Sequence, residues 1–364
     1  MHTPDSAAWL RLTLTPGLGN GVRRALLREF GLPDAIFAAS RARLVGVCGD
    51  AAATALLDPP HATVADLLER TDLWLRERPG ACLISLADPD YPPPLLHLAD
   101  PPLLLYAQGR RELLAQAAVA IVGSRNATAQ GARDAAAFAA HLGRAGLCIV
   151  SGLASGIDAA AHAGALEAAA ATVAVLGTGI DRVYPPRHRA LSERVAREGL
   201  LLSELPLGSL PDAHHFPRRN RIIAALARGV LVVEAAPRSG SLITARLAAE
   251  LGRAVMAVPG SIHSPLSRGC HQLLRDGACL VESAQDVLEE LHWAKAAAAA
   301  GAAPTPAAAA HPLLAVLGSE PTDLDTLARQ TGQDPGSLAA ALLELELEQR
   351  VARLAGNRYV RLHG

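Results

Sequence analysis

The chain has almost no lysine. Of its 34 basic residues only Lys295 is a lysine, and the remainder are arginines. Alanine is very abundant in the same sequence, so the skew reads as nucleotide-composition bias and the choice of arginine over lysine carries little functional weight. Net charge is missing too: 34 bases face 35 acids, leaving −1 at pH 7. A globally basic surface for nucleic acid is thereby excluded, and any polyanion must meet a local patch. The five cysteines (Cys48, Cys82, Cys148, Cys270, Cys279) include no C-x-x-C pair. An odd, unpatterned set argues against a disulfide framework and fits reduced thiols, so the expected location is cytoplasmic. The N-terminus lacks a basic-then-apolar signal region, since Asp5 and Arg11 interrupt its apolar residues. No uninterrupted apolar run is long enough to cross a bilayer, so no membrane partner is expected. There is no G-x-G-x-x-G fingerprint, P-loop, zinc motif or serine–histidine–acid order, and neither a metal nor a cofactor is expected.

What is present is a long, apolar, globular chain: 364 residues, half of them hydrophobic. That is enough for two or three domains. Residues 1–78 read as a bundle of small helices. Within it, LTPGLGNGVRRALLREFG has the form helix, Pro-Gly-Leu-Gly turn, helix, which resembles a SAM or helix–hairpin–helix module. With no lysine at the turn, packing is favoured over DNA contact, although Arg23 and Arg24 keep contact open. LVGVCGDAAATALL is a weaker echo whose glycines, Gly46 and Gly49, are wrongly spaced for a second copy. Residues 79–293 form the core. Its first part, to residue 110, is proline-rich with two short strands. Then strands and helices alternate, with strands at 119–124, 147–152, 172–177, 199–205, 230–235, 254–260 and 278–283. This is the pattern of a doubly wound, mostly parallel α/β sheet. Residues 294–310 are an Ala/Pro linker. Residues 311–364 read as three helices and a hairpin, the winged-helix order. The third helix carries Glu344, Glu346 and Glu348, which repel phosphate, so this module is expected to contact protein rather than duplex DNA.

The most informative stretch is FPRRNRIIAALARG at 216–229. Pro217 suits the first turn of a helix. Arg218, Arg219, Asn220 and Arg221 would then lie beside exposed backbone N–H groups, an arrangement that favours anions. Phe216 offers a flat face on which a base could stack. Arginine clusters on helices are also commonly ion-pair partners, and the apolar continuation through Ile222, Ile223 and Leu226 makes one face core. The stretch alone leaves both uses open. Other strand ends carry similar chemistry. The first strand runs into Gly123, Ser124 and Arg125, with Thr128 as a helix cap. The second runs into Ser151 and Gly152, followed by Ser155 and Gly156. Asp158 and His162 lie four apart there and read as a local pair that steadies the helix. Gly177-Thr178-Gly179 resembles part of a nucleotide loop but is short. Arg238, Ser239, Gly240, Ser241 and Thr244 open another helix and can nest a phosphate. If the strands are parallel, these ends converge on one edge as a groove for several phosphates, which fits a polynucleotide strand better than a mononucleotide.

Together these motifs resemble the DprA/Smf family, the DNA-processing protein A of bacterial natural transformation. The matching pieces run in unbroken order over 80–290: DYPPPLLHLADPPLLLYAQG, AIVGSRNAT, SGLASGIDAAAH, VAVLGTGIDRVYPPRHRAL, FPRRNRIIAALARGVLVVEA, SGSLITARLAAELGR and AVPGSIHSPLSRGCHQLLRDGA. The resemblance implies an extended Rossmann-like core that binds single-stranded DNA with little sequence preference. It also implies a homodimer that protects incoming DNA and helps load RecA recombinase, without catalytic turnover. Carried onto this sequence, it puts Gly123, Ser124 and Arg125 in the DNA site, with Phe216 and Arg218–Arg221 for stacking and charge. Ser239, Gly240, Ser241 and Thr244 would line the far side. Family members often place a basic residue shortly before the Phe-Pro element, where this chain has Asp212, Ala213, His214 and His215. Affinity is therefore expected to lean on Arg218 and Arg219. Two enzymatic alternatives are weaker. A nucleotide hydrolase of the lysine-decarboxylase-like group would show P-G-G-x-G-T-x-x-E, but the loop here is PRSGSLITA, with no glutamate before Glu250. A dinucleotide-dependent oxidoreductase would need the missing glycine fingerprint and an acidic ribose partner.

Overall fold

The computed structural model describes residues 5–60, 62–293, 313–317, 322–347, 351–354 and 358–361. The linker expected at 294–310 and the tip of the C-terminal hairpin lie outside them. Contacts divide the chain into two units, Met1–Ala296 and Ala297–Gly364.

Six helices open the first unit: α1 (Asp5–Leu14), α2 (Asn20–Phe30), α3 (Pro33–Phe37), α4 (Arg41–Cys48), α5 (Asp50–Leu57) and α6 (Ala62–Glu77). Leu12, Leu26, Ile36, Leu44 and Leu56 make a small core of their own, while Trp9 and Trp74 pack on the main sheet. The expected hairpin turn lies between α1 and α2, with Gly17 at φ +75°. Asn20 and Arg24 both bond the Asp100 carboxylate, at 2.9 and 2.7 Å, so an internal acid sits where α2 begins. The echo at α4–Gly49–α5 does form a second helical turn, with Gly49 at φ +81°.

The strands are β1 (Ala81–Ser85), β2 (Leu104–Gly109), β3 (Ala118–Val122), β4 (Cys148–Ser151), β5 (Thr172–Val175), β6 (Leu200–Ser203), β7 (Gly229–Val232), β8 (Ala254–Ala257) and β9 (Cys279–Leu280). They form one sheet in the order β1-β2-β6-β5-β4-β3-β7-β8-β9. From β6 to β9 all neighbours are parallel. The two strands of the proline-rich segment extend this sheet: β2 runs antiparallel to β6, and β1 to β2. Helices α7 (Ala129–Arg144), α8 (Ile157–Glu167), α9 (Arg189–Glu198), α10 (His215–Leu226), α11 (Gly240–Glu250), α12 (Arg268–Arg275) and α13 (Ala284–Glu290) complete the unit. Strand β3, AVAIV, is buried on both faces, as a central parallel strand must be. Ala118, Ala120 and Val122 face the core shared with α10 and α11, while Val119 and Ile121 face α7 and α8.

The second unit has α14 (Leu313–Val316), α15 (Leu324–Thr331) and α16 (Pro335–Leu347), plus a sheet β10 (Thr322–Asp323), β12 (Arg358–Arg361), β11 (Val351–Leu354) in that spatial order. Leu313, Leu327, Leu338, Leu342, Val351 and Tyr359 fill its core. The short β10, pairing with β12, is the one strand here that sequence pattern did not indicate.

Candidate nucleic-acid interface

The chain lays β3, β4, β5 and β6 side by side in one direction. It then crosses back through α10 to set β7 on the other side of β3. From β3 it enters α7 on one face of the sheet, and from β7 it enters α11 on the other. A crevice opens between carboxyl ends that diverge in this way. Here it is a cleft of about 770 Å³. Gly123, Ser124, Arg125 and Asn126 line it from the end of β3; Phe216, Pro217, Arg219 and Asn220 from α10; and Arg238, Ser239, Gly240, Ser241 and Thr244 from the start of α11.

Each wall has a local reason. Gly123 is required by close approach: a Cβ there would lie 2.6 Å from Ile157 Cγ1 and 2.8 Å from the Glu234 carbonyl oxygen. Thr128 caps α7, its hydroxyl accepting from Gly131 N–H at 2.9 Å. Glu234, two residues past the end of β7, accepts from Thr128 N–H at 2.9 Å and from its hydroxyl at 2.6 Å, tying the β3 loop to the β7 end. Ser239 caps α11, accepting from Ser241 N–H at 3.3 Å. The positive end of an eleven-residue helix thus faces the cleft beside Arg238.

The arginines of the 216–229 stretch separate. Arg219 is buried against the cleft. Its Nη1 donates to the carbonyls of Gly152, at 2.5 Å, and Val175, and its Nε donates to Asn220 Oδ1 at 3.1 Å. Burial pulls its guanidinium down to about 10, against the opposing pull of Asp158. Arg218 and Arg221 do not line the cleft. Both pair with Glu204, just past β6: Arg218 at 3.0 Å and Arg221 at 2.6 Å through both carboxylate oxygens. Arg221 also donates to the Asp100 carbonyl at 2.5 Å. Two members of the cluster are therefore ion-pair partners. Ser151 is likewise structural, fully buried with its hydroxyl donating to Ile121 O at 2.6 Å. Gly152 lies behind the cleft, holding Arg219 through its carbonyl and Asp158 through its N–H at 3.1 Å.

The exposed positive charge belongs to Arg125 and Arg238, which carry no ion pair or hydrogen bond among the described residues, and the exposed acid Asp212 also lines the cleft. The Arg125 guanidinium stacks over the Phe216 ring at 4.8 Å, a cation–π contact. Asp158 lies at the cleft floor, 6% exposed. Burial raises its carboxyl, with Arg219 opposing that shift. The expected Asp158–His162 pair does not form. His162 Nδ1 meets Thr172 Oγ1 at 2.8 Å, and the Thr172 hydroxyl donates to Ile149 O at 2.9 Å. Thr172 has one proton to give, so His162 must donate to it from Nδ1. Burial pushes this imidazole down to about 3.

Sequence reasoning missed Tyr184 as a site residue. It lines the cleft, is 43% exposed, and its ring lies 5.7 Å from that of Phe216. The available signal was an aromatic in VYPP, on the loop of another strand end. Arg238 belongs to the strand-end groove expected from sequence, although the family resemblance carried over only its neighbours from Ser239 onward.

A strand-end cleft that joins a helix N-terminus, unpaired guanidinium groups and half-exposed aromatic rings defines an α/β protein equipped for a ligand with both anionic and planar parts. Comparison with known proteins narrows this class. A family model for DNA recombination-mediator protein A matches residues 82–292, and one for the DprA winged helix domain matches 297–357. Protein Smf of Escherichia coli (strain K12) is 43% identical over 304 residues, 81% of each chain. DNA processing protein DprA of Streptococcus pneumoniae is 49% identical over 209 residues, 57% of this chain and 74% of its own. The X-ray structure of Streptococcus pneumoniae DprA matches with a TM-score of 0.69 at 38% identity, covering 80% of this chain and 99% of that one. A structure of DNA processing protein A from Helicobacter pylori, described for its single-stranded DNA binding mode, matches with a TM-score of 0.53 at 31% identity, over 58% of this chain and 95% of that one. The chain belongs to the DprA/Smf family of DNA recombination mediators.

Proposed function

We propose that this protein binds single-stranded DNA in the strand-end cleft. The observation that carries this reading is the Arg125 guanidinium lying 4.8 Å over the Phe216 ring at a cleft edged by the α11 N-terminus. Phosphates are met by Arg125, Arg238 and the helix end, and bases by the aromatic faces. Of the site residues expected from sequence, Gly123, Ser124, Arg125, Phe216, Pro217, Arg219, Asn220, Ser239, Gly240, Ser241 and Thr244 form the binding surface. Gly152 and Ser151 support it from behind, and Arg218 and Arg221 hold α10. Family membership supports a DNA-processing role in natural transformation. On that basis the protein protects incoming strands and loads RecA recombinase as a cytoplasmic homodimer, without turnover. The C-terminal unit serves protein contact. A nucleotide hydrolase is disfavoured because Asp158, the floor carboxyl, is committed to Gly152 N–H and to facing Arg219. Titration of a labelled oligo-dT tests the proposal. Arg125→Ala should weaken binding about tenfold or more, and unchanged affinity would remove the cleft from consideration.

A further inference from the structure

Beside the main cleft lies a smaller recess of about 70 Å³, lined by Arg125, Gly177, Thr178, Tyr184, Pro185 and Phe216 among others. Tyr184 and Phe216 border both cavities. Their rings are 5.7 Å apart and inclined at 42°. A base sandwiched between two rings needs them parallel and roughly 7 Å apart, twice the optimal carbon–carbon separation. These rings are too close and too tilted for that. They cannot hold one base between them, and Phe216, half-buried, already carries the Arg125 guanidinium over its ring. The Phe216 position is braced from behind, since a Cβ on Gly177 would lie 2.8 Å from its Cδ1. Tyr184, by contrast, is the most open large aromatic at the site, 43% exposed.

We propose that Tyr184 is a second base-stacking residue, and that the recess beside it takes a base adjacent to the one on Phe216. This rests on the cleft being the single-strand site. Neighbouring bases held on planes inclined at 42° are unstacked from each other. A flexible single strand adopts that arrangement readily, whereas a duplex would have to break its stack. The tilt of the two rings therefore selects for single strands without reading sequence.

The test uses the full chain and two probes: an oligo-dT and an abasic deoxyribose-phosphate oligomer of the same length. Tyr184→Ala should weaken oligo-dT binding about tenfold, as expected for loss of one base–aromatic stack, and leave the abasic probe unchanged. Tyr184→Phe should bind oligo-dT within twofold of the parent, and Tyr184→Leu, which keeps the bulk but not the π face, should fall with the alanine variant. Unchanged oligo-dT affinity in Tyr184→Ala, or an equal loss on both probes, overturns the stacking role. Failure of the parent protein to bind oligo-dT at all overturns the cleft assignment instead.

Discussion

Arg219 and Arg125 border the same cleft but differ in what surrounds them. The guanidinium of Arg219 closes two backbone carbonyls and faces a buried carboxyl. Removing it strands both carbonyls, and each buried polar group left unsatisfied costs about 1–3 kcal/mol. Arg219→Ala should therefore lower the urea midpoint of unfolding sharply. Arg125→Ala, on the exposed side, should leave stability within about 0.5 kcal/mol while weakening DNA. His162 makes a separate prediction. Its unfolded imidazole takes a proton near pH 6.5, but its folded one only near 3. As pH falls through this window the unfolded state binds the proton first, so stability drops with falling pH. Between pH 7 and 5 the parent should lose about 2 kcal/mol more than His162→Gln, measured by denaturant unfolding. None of these distinctions shows in the letters. Arg218, Arg219 and Arg221 look equivalent along the chain because only folding brings Glu204 and the Gly152 carbonyl to different sides of the helix.

Helix α10 joins three environments. Ile222 and Ile223 are core, Phe216 edges the cleft, and Arg218 and Arg221 hold Glu204. Asp100 continues this chain of contacts to Asn20 and Arg24 of α2, so the N-terminal helices grip the same helix that presents the aromatic. Glu204→Gln should destabilise by about 2 kcal/mol, since the amide keeps one acceptor oxygen but removes the negative charge that Arg218 and Arg221 both face, and calorimetry checks this. Gly177→Ala acts on the ring alone. Its Cβ would meet Phe216 at 2.8 Å, so the ring must move. Oligo-dT affinity should fall several-fold with little change in melting temperature. Element existence was plain from the sequence because short apolar runs ending in Gly or Ser punctuate the core. The partner of each strand was not. Nothing local in LLLYAQG says that β2 pairs with β6, since that contact depends on where the chain returns after the first three helical crossovers. Tyr184 was missed for the same reason: its closeness to Phe216 joins the loop after β5 to the first turn of α10.

For the molecule as a whole, a net charge of −1 means that attraction for a polyanion is local. Two or three phosphate contacts through Arg125, Arg238 and the α11 terminus predict a slope between about −1.4 and about −2.1 in log affinity against log salt for a single strand. Arg125→Ala should reduce that slope by about 0.7, measured by titration across salt concentrations. A strongly basic protein would show a much steeper dependence. The cleft also needs both sides of the switch in strand order. Its walls come from residues 123–126 and 238–244, on opposite sides of the switch between β3 and β7, and α10 bridges them only after the outer strands are laid. No half of the core carries a working half-site. A nicked or partly folded copy would lack one wall of the cleft, so the proposed DNA binding doubles as a readout that both halves of the core have come together.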